Sequence, residues 1–113
     1  MSTEAPEATW VPEACTLPTA EHPLRVAEFD ALFADALRGL DRYGSTGLRM
    51  ALDPTPEVAG RAAALVVRET GCCSFFTFAL VATGGELRLD ITVPTTRTEV
   101  LDALQSRAAG ALR

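Results

Sequence analysis

A chain of 113 residues with 48% hydrophobic and 22% charged residues is long enough to close one hydrophobic core without disulfides or a structural metal, and a single domain is expected. Its net charge of −5 comes from 15 acidic residues against ten arginines and no lysine. That balance lacks the positive footprint needed to bind a phosphate backbone, and no basic stripe runs along any predicted helix. The apolar runs are too short to span a bilayer, and MSTEAPEATW lacks the basic start of a secretory signal, so a cytoplasmic location is expected. Arginine used to the exclusion of lysine, with abundant Ala, Leu and Gly, fits a high-GC bacterial genome.

Residues 1–12 are rich in Pro, Glu, Ala and Thr and predict a disordered or loosely docked arm, with the domain proper over 13–113. ACTLPT (14–19) predicts a short strand stopped by Pro18. The stretch AEHPLRVAEFDALFADALRGLDRYG has Pro23 in a first-turn position and a closing Gly44, which together predict one long helix. Val26, Phe29, Phe33, Leu37 and Leu40 fall at steps of three and four and form its apolar stripe.

GLRMALD (47–53) alternates Leu48, Met50 and Leu52 with Arg49 and Ala51, the period of a half-buried strand. Thr55 as N-cap and Pro56 at the first helical position open a second helix. It carries Val58, Ala62, Leu65 and Val66 inward, continues that face at Glu69, and ends near Gly71. Gly84-Gly85 then predicts a two-residue hairpin turn. Folding about it sets Ala82 opposite Leu87, Leu80 opposite Leu89, Phe78 opposite Ile91 and Phe76 opposite Val93. Thr77, Ala79 and Val81 share the other face with Arg88, Asp90 and Thr92, and a one-residue slip would bury Arg88 and Asp90. A last helix near 97–111 presents Val100, Leu101, Leu104, Ala108 and Leu112. The order (β)-α-β-α-β-β-α predicts an α+β fold of two layers, with helices on one face of a small, mostly antiparallel sheet. The sequence shows no internal repeat.

The chemistry-bearing stretch is ETGCCSFFTF (69–78). Cysteine packs well as a small hydrophobe, so a structural or interaction domain with packed cysteines is one reading. Neighbours on a strand point to opposite faces, and only a turn or helix terminus lets adjacent thiols converge. Cys72 and Cys73 fall at such a junction, behind Thr70-Gly71. Three cysteines in a reducing compartment predict thiols, and a disulfide between adjacent residues would close a strained small ring. Converging thiolates select soft ions. Zinc calls for four ligands at wider spacing, which this chain lacks, whereas Hg(II), Pb(II), As(III) and Cu(I) are content with two or three sulfurs. Cys15 is the third thiol available, and Glu69 is an acid or ligand just upstream. Phe76 and Phe78 read as core, and Phe75, of opposite parity, as a shield over the thiols. His22, the single imidazole, reads as an exposed neighbour of a helix start, and no nucleophilic triad or phosphate-binding loop can be assembled.

These residues resemble the signature of an uncharacterised family of small bacterial domains. That family carries an early Cys-x-Leu-x-x-x-Glu segment, here CTLPTAE (15–21). It continues with an acid, two spacers and Cys-Cys-(Pro/Ser)-Phe-(Phe/Leu)-x-Phe, here ETGCCSFFTF, before a Gly-containing hairpin. The resemblance spans about residues 14–108. Such domains occur alone or fused to MerR-type heavy-metal-responsive regulators, often near mercury-resistance functions. The resemblance implies thiophilic metal handling, with Cys15, Cys72 and Cys73 at the family's cysteine positions and Glu69 at its acid. Ser74 replaces the commoner proline and loosens the turn. No helix-turn-helix precedes the domain, so a complete regulator is not expected.

The leading expectation is therefore a binder of a soft metal ion, Hg(II) favoured, with metal ligands Cys72, Cys73 and Cys15 and no organic cofactor. It would act as sensor, carrier or sequestering module. The enzymatic alternative is a thiol-dependent step in organomercurial or arsenical detoxification using Cys72, Cys73 and Glu69, or His22, as the proton carrier. Expected partners are the metal ion, with a homodimer or a heavy-metal regulator as further candidates, and neither nucleic acid nor membrane.

Overall fold

The computed structural model describes residues 22–72 and 74–112, with side chains from residue 26 onward except that of Cys72. The expected arm over 1–12 and strand over 14–19 lie outside the described residues. The elements are α1 (His22–Ala36), β1 (Leu37–Tyr43), β2 (Gly47–Leu52), α2 (Pro56–Cys72), β3 (Thr77–Thr83), β4 (Glu86–Thr92), a short 3₁₀ turn (Thr95–Arg97) and α3 (Thr98–Ala111). The four strands form one antiparallel sheet in the order β1-β2-β4-β3. The α+β reading holds.

One element departs from expectation. The long first helix stops at Ala36, and Leu37–Tyr43 forms β1, an edge strand hairpinned to β2. The apolar step from Leu37 to Leu40 matched a helix, but here a strand irregularity produces it. Leu37 pairs with Leu52 and Gly39 with Ala51, so Arg38 is an extra residue in β1. An inserted residue returns Leu37 and Leu40 to the same face three positions apart, as a β-bulge does. Both are partly buried against the core. Gly44, at φ 72°, takes the left-handed conformation of the connecting turn at no steric cost.

The second hairpin forms in the expected register, with Ala82 opposite Leu87, Leu80 opposite Leu89 and Phe78 opposite Ile91. Gly84 and Gly85 both have positive φ, at 58° and 79°, which suits the primed turns that match strand twist. An α-β-β unit thus occurs twice, and the second strands of the two hairpins, β2 and β4, pair antiparallel at the sheet centre. The sequence carries no matching repeat, because only the alternation and the turn glycines have to recur.

Leu48, Met50, Leu52, Leu87, Leu89 and Ile91 are buried on the inner face of the central strands. Against them pack Val26, Phe29, Leu32, Phe33 and Ala36 of α1, Val58, Ala62, Leu65 and Val66 of α2, and Val100, Leu101, Leu104 and Ala108 of α3, in one core. Leu112, expected on the α3 stripe, lies past the helix end and is 41% exposed. The outer face carries Arg49, which pairs with Asp90 across β2 and β4, and Arg88, which also bonds Asp90. Ion pairs tie the layer of helices together. Arg107 of α3 donates to Asp30 of α1 (Nε–Oδ1 3.0 Å), and Arg61 and Arg68 of α2 reach Asp35 and Glu28 of α1. Arg42 of β1 reaches Gln105 (2.7 Å) and Asp102 (2.8 Å) on α3. Among the described residues, no helix is long and apolar enough to cross a membrane.

Candidate functional site

The site is built at the C-terminal end of α2. The helix starts as its sequence directs: the Val58 N–H donates to Thr55 Oγ1 at 3.1 Å, satisfying one of the otherwise unpaired donors of the first turn. From there Val58, Ala62, Leu65, Val66 and Glu69 succeed one another on the buried face, the spacing of a helix laid on a sheet. Four of these are apolar. The fifth is a carboxylate, 0% exposed and the one buried polar or charged side chain among the described residues. Glu69 is not isolated in that position.

Cys72 is the last residue of α2, one turn beyond Glu69, and its side chain lies outside the description. The expected helix end at Gly71 thus moves one residue into the cysteine pair. Cys73 and Cys15 lie outside the described residues, so the convergence of the three thiols is not among the structural findings. Among the described residues, no group of three or more His, Cys, Asp or Glu side chains is positioned to hold a metal. His22 is the first residue of α1.

Of the phenylalanines after the pair, only the packing can be followed, because the thiols that Phe75 was expected to shield lie outside the described residues. Phe76 is buried, and its ring lies 4.7 Å from that of Phe75 and 5.1 Å from that of Phe78. Phe75 is half-buried, packed against the core on one side and covered by the Arg97 guanidinium at 5.0 Å from the ring centroid. This cation–π contact brings the turn before α3 over the segment that follows the cysteines. Arg97 carried no local signal of that role in the sequence, because its partner is distant in the chain.

The last turn of α2 contains no basic residue, and the C-terminal end of a helix carries partial negative charge. The helix dipole therefore does not promote thiolate formation at Cys72. Glu69 lies three residues before Cys72 in the same helix. An apolar cleft between Pro54, Thr55 and Pro56 and the β3–β4 turn at Ala82, Gly84 and Leu87 lies at the opposite end of α2. Compared with known protein families, with curated proteins and with solved structures, the chain matches none.

Proposed function

We propose that this protein binds a soft heavy-metal ion, Hg(II) before Pb(II), As(III) or Cu(I), through the thiolates of Cys72 and Cys73, with Cys15 as third ligand. It would serve as sensor, carrier or sequestering module in a reducing, cytoplasmic setting. The observation that carries this reading is the complete burial of Glu69. A carboxylate inside a hydrophobic core has to be compensated by its surroundings, and Glu69 is held there one helical turn before the first cysteine of the pair. Thiols must shed protons to take up a metal, and a carboxylate one helical turn from the first cysteine gives those protons a destination. The Cys-Cys-x-Phe-Phe signature and its resemblance to domains linked with mercury resistance support the same chemistry.

The test is titration of reduced protein with Hg(II), followed by the sulfur-to-mercury charge-transfer absorbance. Cys72→Ser and Cys73→Ser should each weaken the band and the affinity. Indistinguishable binding by both variants and the wild type would sink the proposal.

Burial of Glu69 also favours a second reading, cleavage of an organomercurial. There the thiolates take the mercury, the carbon–mercury bond breaks, and the acid delivers the proton to carbon. Hydrocarbon release beyond one equivalent in excess small thiol would establish turnover, whereas a binder stops at one.

A further inference from the structure

We propose that β3 is a self-association edge, and that two copies of this chain pair antiparallel along it into one continuous sheet. The two edges of the sheet are unlike. β1 reads LRGLDRY, with Arg38, Asp41 and Arg42 and a bulge, the devices by which natural sheets keep an edge from pairing. β3 reads TFALVAT, with no charge, proline or bulge, and among the described residues it pairs with β4 alone. An edge of this kind is a template for another strand.

The sequence of β3 specifies what fits it. TFALVAT has threonine at both ends, leucine at its centre and uncharged residues between, so antiparallel self-pairing about Leu80 sets Thr77 against Thr83, Phe78 against Ala82 and Ala79 against Val81. Every pair is apolar on apolar or Thr on Thr, with no charge opposed. Phe78 and Leu80 are only half-buried, although their β4 partners Ile91 and Leu89 are fully buried. A second copy would complete that burial.

An independent observation lies on α2. Its arginines Arg61 and Arg68 both lean to the α1 side, where they meet Asp35 and Glu28. The opposite side of the helix presents Ala59, Ala63, Val67 and Thr70, all uncharged, and Ala59 lines the same cleft as Ala82 of β3. Val67 is 69% exposed. Helix and strand therefore offer one uncharged strip at a single edge of the molecule, and two-fold pairing of β3 brings the two α2 strips toward each other in an isologous contact.

Light scattering coupled to gel filtration on the full chain tests this. The expected mass is twice the 12.0 kDa chain. The A79K/V81K variant, altered only on the outer face, should run as a folded monomer, because each new charge faces a like charge across the dyad. A79E/V81E should do the same, and mixing the two variants should restore the dimer mass. A monomeric wild type overturns the proposal, as does a dimer that survives A79K/V81K. Slow amide exchange along β3 in a monomeric wild type would also overturn it, and would assign the edge to another segment of the same chain.

Discussion

Arg49 and Asp90 stand directly opposite each other on the two central strands, and the Arg49 Nε donates to Asp90 Oδ1 at 2.8 Å on the side of the sheet away from the helices. Arg88, two residues along the same strand, donates to the other carboxylate oxygen at 3.1 Å. Cross-strand ion pairs of this kind are individually modest. Here two cations share one acid, which sets the register of the open face against a one-residue slip.

The shared acid gives stability a pH dependence. Burial pushes the Asp90 carboxyl up, but the hydrogen bonds and charges of Arg49 and Arg88 outweigh it, and the net shift is below the ordinary value of 3.8. A carboxyl held low in the fold stabilises at pH above its unfolded value, and that contribution is lost as pH falls through the folded value. Asp90→Asn should therefore lower the urea midpoint at neutral pH, with the two proteins converging below about pH 4. Parallel curves throughout that range would show that the carboxylate contributes nothing.

Thr55→Ala removes the acceptor for the Val58 N–H. The expected loss is about 1 kcal/mol, read as a lower urea midpoint with an unchanged slope. A serine at the same position should recover most of it, since the hydroxyl is the part that caps.

Phe33 is buried in the core where α1 meets the sheet, with its ring 6.1 Å from that of Phe29. Phe33→Ala should cost about 3–5 kcal/mol, a large share of the stability of a domain this size. Leu112→Ala should stay within about 0.5 kcal/mol, because Leu112 lies beyond the end of α3. A cost comparable to that of Phe33→Ala would mean that Leu112 packs into the core after all.

Glu69→Leu separates a working acid from a structural one. Glu69 is not isolated in the fold, so removing its carboxylate leaves a buried partner unsatisfied and should cost about 1–3 kcal/mol. The variant should also release more protons to the buffer when Hg(II) binds, because the internal acceptor is gone. A large loss of stability with unchanged proton release would assign Glu69 to the fold.

Much of this molecule was legible in the chain. The second hairpin carries its own instructions: Gly84-Gly85 admits positive φ, and the alternation on either side has one register that keeps Arg88 and Asp90 in water. Helix α2 is equally explicit, with its Thr55 cap, Pro56 and a face running from Val58 to Glu69. The error fell on Leu37–Tyr43. A bulged strand and a helix can place leucines at the same spacing, and the choice between them was made by β2, whose backbone groups β1 satisfies along its length.

For the candidate site the division is similar. Local sequence determined that Glu69 and Cys72 both fall in the last turn of α2, because helix spacing is a property of neighbours in the chain. Tertiary structure decided that the Glu69 carboxylate lies wholly inside the core and that Arg97 covers Phe75. It also decided that, among the described strands, β3 rather than β4 lies at the edge of the sheet. Burial and strand order depend on surfaces brought together from distant parts of the chain, and the periodicity of a single segment holds no record of what covers it.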